Sequence, residues 1–131
     1  MNQFSRTGGL AIGLGVIAVL GVYLAARAVG ADLMVAPEFG SGPAKQLEVF
    51  PAIAATVASG VVGAGLARLT PRFAQPARTF VGLCLAGLVI YGYLTVARSD
   101  NNSTVIWLNV MHVAAAVPIV GLLTHHLTKE H

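Results

Sequence analysis

Four long apolar stretches constrain the fold of this chain more than any other feature of its sequence. They cover about residues 8–29, 47–69, 79–97 and 104–127. A helix needs about 20 apolar residues to cross the roughly 30 Å of hydrocarbon in a bilayer. Within hydrocarbon each backbone N–H and C=O has to bond inside its own segment, so an apolar stretch of this length forms an α-helix. The sequence therefore predicts an all-α fold, a bundle of four transmembrane helices.

Composition and length predict a single domain, residues 1–131, embedded in lipid. Charged residues make up 10% of the chain and hydrophobic residues 56%, whereas soluble domains carry about 25% charged residues. The first apolar stretch is longer than the roughly 7–15 residues of a signal-peptide core, which favours an uncleaved first span. The longest connection, the predicted outer loop, covers about residues 30–46 and contains glycine and proline.

The distribution of lysine and arginine predicts the orientation of the helices. Five of these residues fall on the side of the termini and three on the other side. Cytoplasmic loops carry the excess of basic residues, so both termini are predicted to be cytoplasmic in a multi-pass protein of the plasma membrane. The basic residues are scattered and form no basic stripe, which argues against nucleic acid as a partner. The five are Arg6, Arg68, Arg72, Arg78 and Lys129, and the three are Arg27, Lys45 and Arg98.

Small residues recur four positions apart in the first two spans. The pairs are Gly9 with Gly13 and Ser59 with Gly63. Small side chains let helix backbones approach closely, which matters because lipid provides no hydrophobic force between helices. Two interpretations stay open at this point. The residues pack helices within the chain, or one face, most plausibly on the first helix, docks another subunit.

Two polar residues lie in the last apolar stretch, where their neighbours are nearly all hydrocarbon. Asn109 and His112 are three positions apart and therefore share a helix face. Ionisable residues within a membrane are candidate functional sites. A structural hydrogen bond to Thr56 or Tyr91 on a neighbouring helix is the first interpretation. A ligand or proton site at His112 is the second.

Three further polar residues fall in the outer halves of the first two helices. Arg27 and Glu48 lie near the outer helix ends, and Tyr23 lies one turn before Arg27. The two charges either pair at the membrane interface, with each other or with Asp32, or form the rim of an outward-facing cavity above His112 with Tyr23 and Tyr91. Such a cavity suits an amphipathic headgroup, for example that of a lipid or a quinol.

No pattern of catalytic or metal-binding residues is present in the sequence. Paired catalytic carboxylates, a nucleophile with its base, and a phosphate-binding loop are all missing. The single cysteine, Cys84, has no partner at metal-ligand spacing. The closing residues His125, His126, Glu130 and His131 fit a polar helix end. The prediction is a protein that is not an enzyme and holds no metal or cofactor.

Two local signals shape the last helix. Ser103 or Thr104 is predicted as its N-cap, since a hydroxyl can accept a hydrogen bond from a free N–H of the first turn. Pro118 predicts a kink, because proline removes one backbone hydrogen bond and crowds the carbonyl four residues earlier.

Three stretches carry a resemblance to a known family. They are "VGADLMV" (29–35), "TPRFAQPART" (70–79) and "WLNVMHVAAAVPIVGLL" (107–123), and the pair Met111-His112 is the most specific element. Over about residues 10–127 the chain resembles the small four-helix membrane proteins of actinobacteria that are grouped as a domain of unknown function. The resemblance implies the four-helix fold and an actinobacterial plasma membrane. It implies no activity and no functional residues.

The function predicted from these features is that of a non-enzymatic accessory or structural subunit. Its partners would be the lipid bilayer together with other membrane subunits or further copies of the chain. The alternative is a membrane protein that binds a small molecule, a lipid or a quinone, or a transport component, through the outer polar residues. The chain offers almost no soluble mass, which favours the first prediction.

Overall fold

The computed structural model describes residues 3–35, 43, 45–98 and 101–129. These residues contain four long helices: α1 Gln3–Ala28, α2 Val49–Leu69, α3 Pro76–Arg98 and α4 Asn102–Lys129. Each of the four is long and apolar enough to span a membrane. The predicted all-α class is confirmed, and the chain is a multi-pass membrane protein.

Helix α1 begins before its predicted apolar stretch, and α3 and α4 extend beyond theirs at both ends, whereas α2 begins two residues inside its stretch, at Val49. α1 begins at Gln3, and the Thr7 hydroxyl donates a hydrogen bond to the Gln3 carbonyl at 3.1 Å in its first turn. α2 contains Pro51 in its first turn, where the missing N–H is harmless. A short 3-10 helix, Thr70–Arg72, follows α2 directly. Hydropathy reports the hydrocarbon part of a helix, whereas polar residues extend it into the headgroup region.

The N-cap of α4 is Asn101, so the predicted cap at Ser103 or Thr104 is wrong. The Asn101 side-chain oxygen accepts a hydrogen bond from the Ser103 N–H at 2.9 Å. Its carbonyl accepts the first bond of the helix, from the Val105 N–H at 3.1 Å. Asparagine is among the strongest N-capping residues. The helix then continues through Pro118 to Lys129, and the kink at Pro118 stays a prediction.

Two short strands lie in the segment between α1 and α2. β1 Met34–Val35 pairs antiparallel with β2 Lys45–Gln46, and Met34 is opposite Gln46. Strands of two residues carry no alternation that a sequence pattern can reveal. The pair nevertheless fixes where the side chains of β2 lie relative to the helix ends.

Aromatic contacts show that both ends of the described chain lie at the same end of the bundle. The rings of Phe4 and His126 are 5.4 Å apart, and the Arg68 guanidinium lies 4.9 Å from the centre of the Phe4 ring. We call this the termini end. The opposite end carries the α1–α2 connection and the start of α4, and we call it the loop end.

Close helix packing centres on Ile119 of α4, which lies between two glycines. A Cβ placed on Gly15 of α1 would lie 3.1 Å from the Ile119 Cδ1, and one on Gly63 of α2 would lie 3.5 Å from its Cγ2. A Cβ on Gly60 would lie 2.5 Å from the Cγ1 of Ile12. Helices α1, α2 and α4 therefore approach closely where an isoleucine of one helix packs against a glycine of another.

Helix α3 lies outside this three-helix unit and packs mainly along α4. Within its described residues Phe80, near the termini end, is the only buried side chain. It joins a core cluster that includes Ala11, Leu123 and Leu127. A second cluster at the loop end contains Val19, Ala26, Leu33 and Met111. Most of the apolar surface of α3 thus faces away from the chain.

Candidate functional site

The predicted polar residues fall into two separate groups. Tyr23, Arg27 and Glu48 line a cavity at the loop end. His112 and Tyr91 are in contact between α4 and α3, and Asn109 lies one turn away. The seventh residue, Thr56, is buried on α2, and its hydroxyl donates to the Ala52 carbonyl at 2.8 Å. Thr56 was one of two predicted hydrogen-bond partners of His112, and the described residues show no bond between the two.

His112 is hydrogen-bonded to its own helix. Its Nδ1 lies 2.6 Å from the Leu108 carbonyl oxygen. A carbonyl can only accept, so Nδ1 carries the proton, and Nε2 holds the lone pair in the neutral ring. The ring lies against Tyr91, with centroids 5.5 Å apart and planes inclined by 34°. Tyr91 contacts His112 through its ring and is 53% exposed.

Asn109 also bonds within α4, and its other side-chain atom faces α3. The amide nitrogen donates to the Val105 carbonyl at 2.9 Å. A Cβ placed on Gly92 would lie 3.0 Å from the Asn109 Oδ1, so the amide fits against α3 because residue 92 has no side chain. Gly92 was not predicted as a site residue, since its role depends on the register between α3 and α4.

The loop-end cavity has a volume of about 530 Å³. It is lined by Tyr23 and Arg27 from α1 and by the segment 45–49 that leads into α2. The Tyr23 hydroxyl donates to the Leu47 carbonyl at 3.1 Å and so joins the two walls. Lys45 and Gln46 were not predicted as lining residues, because their placement depends on the short β pairing.

Thr104 anchors the cavity wall to α4. Its hydroxyl donates to the Asp32 carbonyl at 2.6 Å and accepts from the Met34 N–H at 3.1 Å. Next to it, the Leu47 N–H donates to the carbonyl of the fully buried Leu33 at 2.6 Å. Thr104 itself is fully buried. The sequence signalled a hydroxyl near the start of α4 but assigned it to a cap instead of a tether between distant segments.

A second cavity of about 430 Å³ lies at the termini end, between the start of α3 and the end of α4. It is lined by residues 75–78 with Leu127 and Thr128. Its charged lining residue, Arg78, donates to the Gln75 side-chain oxygen at 3.0 Å. This cavity therefore presents a cation that is already hydrogen-bonded and no second charge.

The four predicted packing residues have different surroundings. Gly63 is buried against Ile119. Gly9 and Gly13 are exposed, with no atom within 4 Å of a Cβ placed on either, and Ser59 is exposed on α2. Packing against a neighbouring helix is therefore not found for Gly9 and Gly13 among the described residues, and it stays a prediction for Ser59. The reason is rotational, because α1 buries the face that contains Ala11, Gly15 and Val19, and residues 9 and 13 lie outside it.

The described residues contain no group of three His, Cys, Asp or Glu side chains that could hold a metal ion. Cys84 is a half-buried free thiol on α3. At the end of α4, His125 is exposed and His126 is buried against Phe4. Glu130 and His131, the remaining polar residues of this end, lie outside the described residues.

Comparison with known proteins identifies the family of the chain but no activity. No curated protein matches it, and no solved structure matches it. A family of unknown function, DUF6069, matches residues 1–129, which is nearly the whole chain. The predicted resemblance to a family of unknown function is confirmed at that level. The chain therefore belongs to the DUF6069 family.

Proposed function

We propose that this chain is a non-enzymatic accessory or structural subunit of a membrane assembly, either with other subunits or with copies of itself. It acts in the plasma membrane of an actinobacterium with both termini in the cytoplasm. The charge distribution supports this orientation, because Arg68 and Arg72 adjoin the termini end that carries Phe4. Basic residues concentrate on the cytoplasmic side of membrane proteins.

The open glycine face of α1 carries the proposal. Gly9 and Gly13 are four residues apart, and no other helix of the described chain comes within 4 Å of a Cβ placed on either. Leu10 and Ile17 on the same helix are 66% and 65% exposed. Glycine weakens a helix relative to alanine by about 1 kcal/mol, so its presence here needs a reason outside the chain. Close approach of a helix from another subunit supplies that reason.

The peripheral position of α3 supports the same function. In the 18-residue apolar window of α3 only 6% of the residues are buried, against 22% in that of α1. Val89 and Tyr93 are 72% and 75% exposed. These side chains contact lipid or a neighbouring subunit, and a helix attached along one side can be covered without rearranging the rest of the bundle.

Measurement of the intact mass in mild detergent tests the proposal. We expect a particle heavier than the 13.5 kDa chain, made of several copies or of copies with other subunits. A Gly9→Leu/Gly13→Leu variant should release the single chain, because leucine at these positions keeps a partner helix away. Gly65→Leu/Gly82→Leu is the matched control, since both glycines are also open to the surroundings.

Two results would contradict the proposal. If the wild-type chain purified as a monomer in every mild detergent, it would form no assembly. If the assembly survived Gly9→Leu/Gly13→Leu, or were lost equally in the control, the open face of α1 would not be the surface that forms it.

The loop-end cavity favours ligand binding as a second candidate function. It combines three charged side chains with a rigid wall, and it lies where two candidate spans end and begin. A chain isolated as a monomer with a bound lipid or quinone would support this candidate over the assembly function.

A further inference from the structure

We propose that the loop-end cavity binds the phosphodiester headgroup of a phospholipid whose headgroup carries hydrogen-bond donors, of the ethanolamine or glycerol kind. The cavity, lined by Tyr23, Arg27 and segment 45–49, has a volume of about 530 Å³. The inference rests on the second candidate function, ligand binding at this cavity. It does not depend on the assembly function, because every lining residue belongs to one chain.

The cavity presents two cations and one carboxylate. Arg27 comes from the last turn of α1, Lys45 from β2 and Glu48 from the N-cap of α2. No ion pair joins these three side chains in the part of the chain that the structure describes. Arginine and lysine are the residues that bind phosphate oxygens, arginine in a bidentate manner. The excess of positive charge therefore favours a phosphodiester anion.

Glu48 remains available to a ligand although it caps α2. Its side chain makes no capping hydrogen bond, and its backbone is extended with φ −86° and ψ 156°. An ionised carboxylate only accepts hydrogen bonds. An ammonium group or a hydroxyl next to the phosphate satisfies it, whereas the trimethylammonium group of choline has no N–H or O–H to donate.

The cavity wall is held in place before any ligand binds. Tyr23 donates to the Leu47 carbonyl at 3.1 Å, and the Leu47 N–H donates to the Leu33 carbonyl at 2.6 Å. Thr104 ties the neighbouring residues Asp32 and Met34 to α4. A preorganised site loses less conformational entropy on binding than a flexible loop does.

Apolar side chains next to the cavity indicate a lipid as the source of the phosphodiester. Leu24 lies one turn before Arg27 and is 64% exposed, and Phe50 follows Val49 and is 75% exposed. Both belong to helices that can span the membrane. A headgroup in the cavity places its acyl chains beside these helices, which a free phosphate ion cannot exploit.

Lipid titration monitored by native mass spectrometry tests the proposal with the full chain. The probes are phosphatidylethanolamine, phosphatidylglycerol and phosphatidylcholine with identical acyl chains. We expect the first two to bind the wild type more tightly than phosphatidylcholine. Arg27→Gln and Lys45→Gln should each weaken binding of all three roughly tenfold, as expected for one charge-assisted hydrogen bond. Glu48→Ala, which leaves no acceptor at this position, should remove the preference over phosphatidylcholine.

Arg72→Gln is the matched control, because Arg72 is exposed near the termini end and lies outside the cavity. It should bind all three lipids as the wild type does. An equal loss in Arg72→Gln, wild-type binding by Arg27→Gln and Lys45→Gln, or equal affinity of the wild type for all three lipids would overturn the proposal. Displacement of lipid by millimolar inorganic phosphate would identify a soluble anion and also overturn it. Lipid adducts are read on the single chain, so this result is separate from the assembly test.

Discussion

Helices α2 and α3 are both apolar enough to span a membrane, yet the chain holds them in different ways. α2 buries 17% of its span and α3 buries 6%. The buried face of α2 contains Gly60 and Gly63, which receive Ile12 and Ile119 from the two neighbouring helices. α3 contacts α4 through Phe80 near one end and through Tyr91 and Gly92 further along.

The difference shows what replaces the hydrophobic effect in lipid. Burial of apolar groups does not drive helix association there, so backbone approach and dispersion contacts have to do so. Glycine lets α2 approach its neighbours closely, so its attachment depends on shape complementarity. α3 has few such contacts and uses polar and aromatic side chains. Substitutions in α2 and α3 test whether α2 is held more tightly than α3.

The largest effect is expected from Gly60→Ala in α2. The new Cβ would lie 2.5 Å from the Cγ1 of Ile12, and its Cβ is only 3.4 Å away, so the α1 side chain or the backbone has to move. Such overpacking lowers stability by about 2–3 kcal/mol, the upper part of its usual range. Unfolding in mixed detergent measures the change against Gly65→Ala, which lies in open space on the same helix.

A second substitution locates the cause of that loss. Ile12→Ala removes the atoms that Gly60→Ala would meet, so the double variant should recover part of the stability that the two single variants lose. Strictly additive losses would show that Gly60 and Ile12 do not act on each other and would remove the steric account of α2.

Helical fold and membrane insertion were predictable from this sequence, since both follow from the length of the apolar stretches. The face that each helix presents to its neighbours was not. Gly13 and Gly60 both occur in apolar surroundings, and only the rotation of α1 and α2 decides that one is open and the other packed. In a soluble helix polar residues mark the outer face, whereas lipid accepts apolar residues on every face.

The sequence indicated several residues of the candidate site but not which of them lie together. Arg27 and Glu48 were expected near the outer ends of their helices, and both line the loop-end cavity. His112 was expected to bond to a side chain of a neighbouring helix, but its Nδ1 bonds to the carbonyl four residues earlier in its own helix. Lys45 lines the cavity because it belongs to a two-residue strand that no sequence pattern indicates.

A smaller effect is expected from Thr104→Val, which tests the tether between the α1–α2 connection and α4. Valine keeps the shape but cannot bond the Asp32 carbonyl or the Met34 N–H, and unsatisfied buried groups destabilise by about 1–2 kcal/mol. Hydrogen exchange at Met34 should accelerate, while exchange in α3 should not change. The control is Thr7→Val, whose hydroxyl bonds within α1. Equal protection of Met34 in wild type and Thr104→Val would refute the tether.

The smallest effect is expected from Gly92→Ala in α3, the counterpart of Gly60→Ala. Its Cβ would lie 3.0 Å from the Asn109 Oδ1, so the amide has to shift while its nitrogen is bonded to the Val105 carbonyl. Alanine also strengthens the helix by up to about 1 kcal/mol, which offsets most of the strain. We expect Gly92→Ala to be less stable than the wild type by about 0.5 kcal/mol. Gly87→Ala, an open position on the same helix, should gain the helix-forming contribution without the strain. The same unfolding assay measures both variants. If Gly92→Ala lost as much stability as Gly60→Ala, α3 would be held as tightly as α2, and its peripheral role would be wrong.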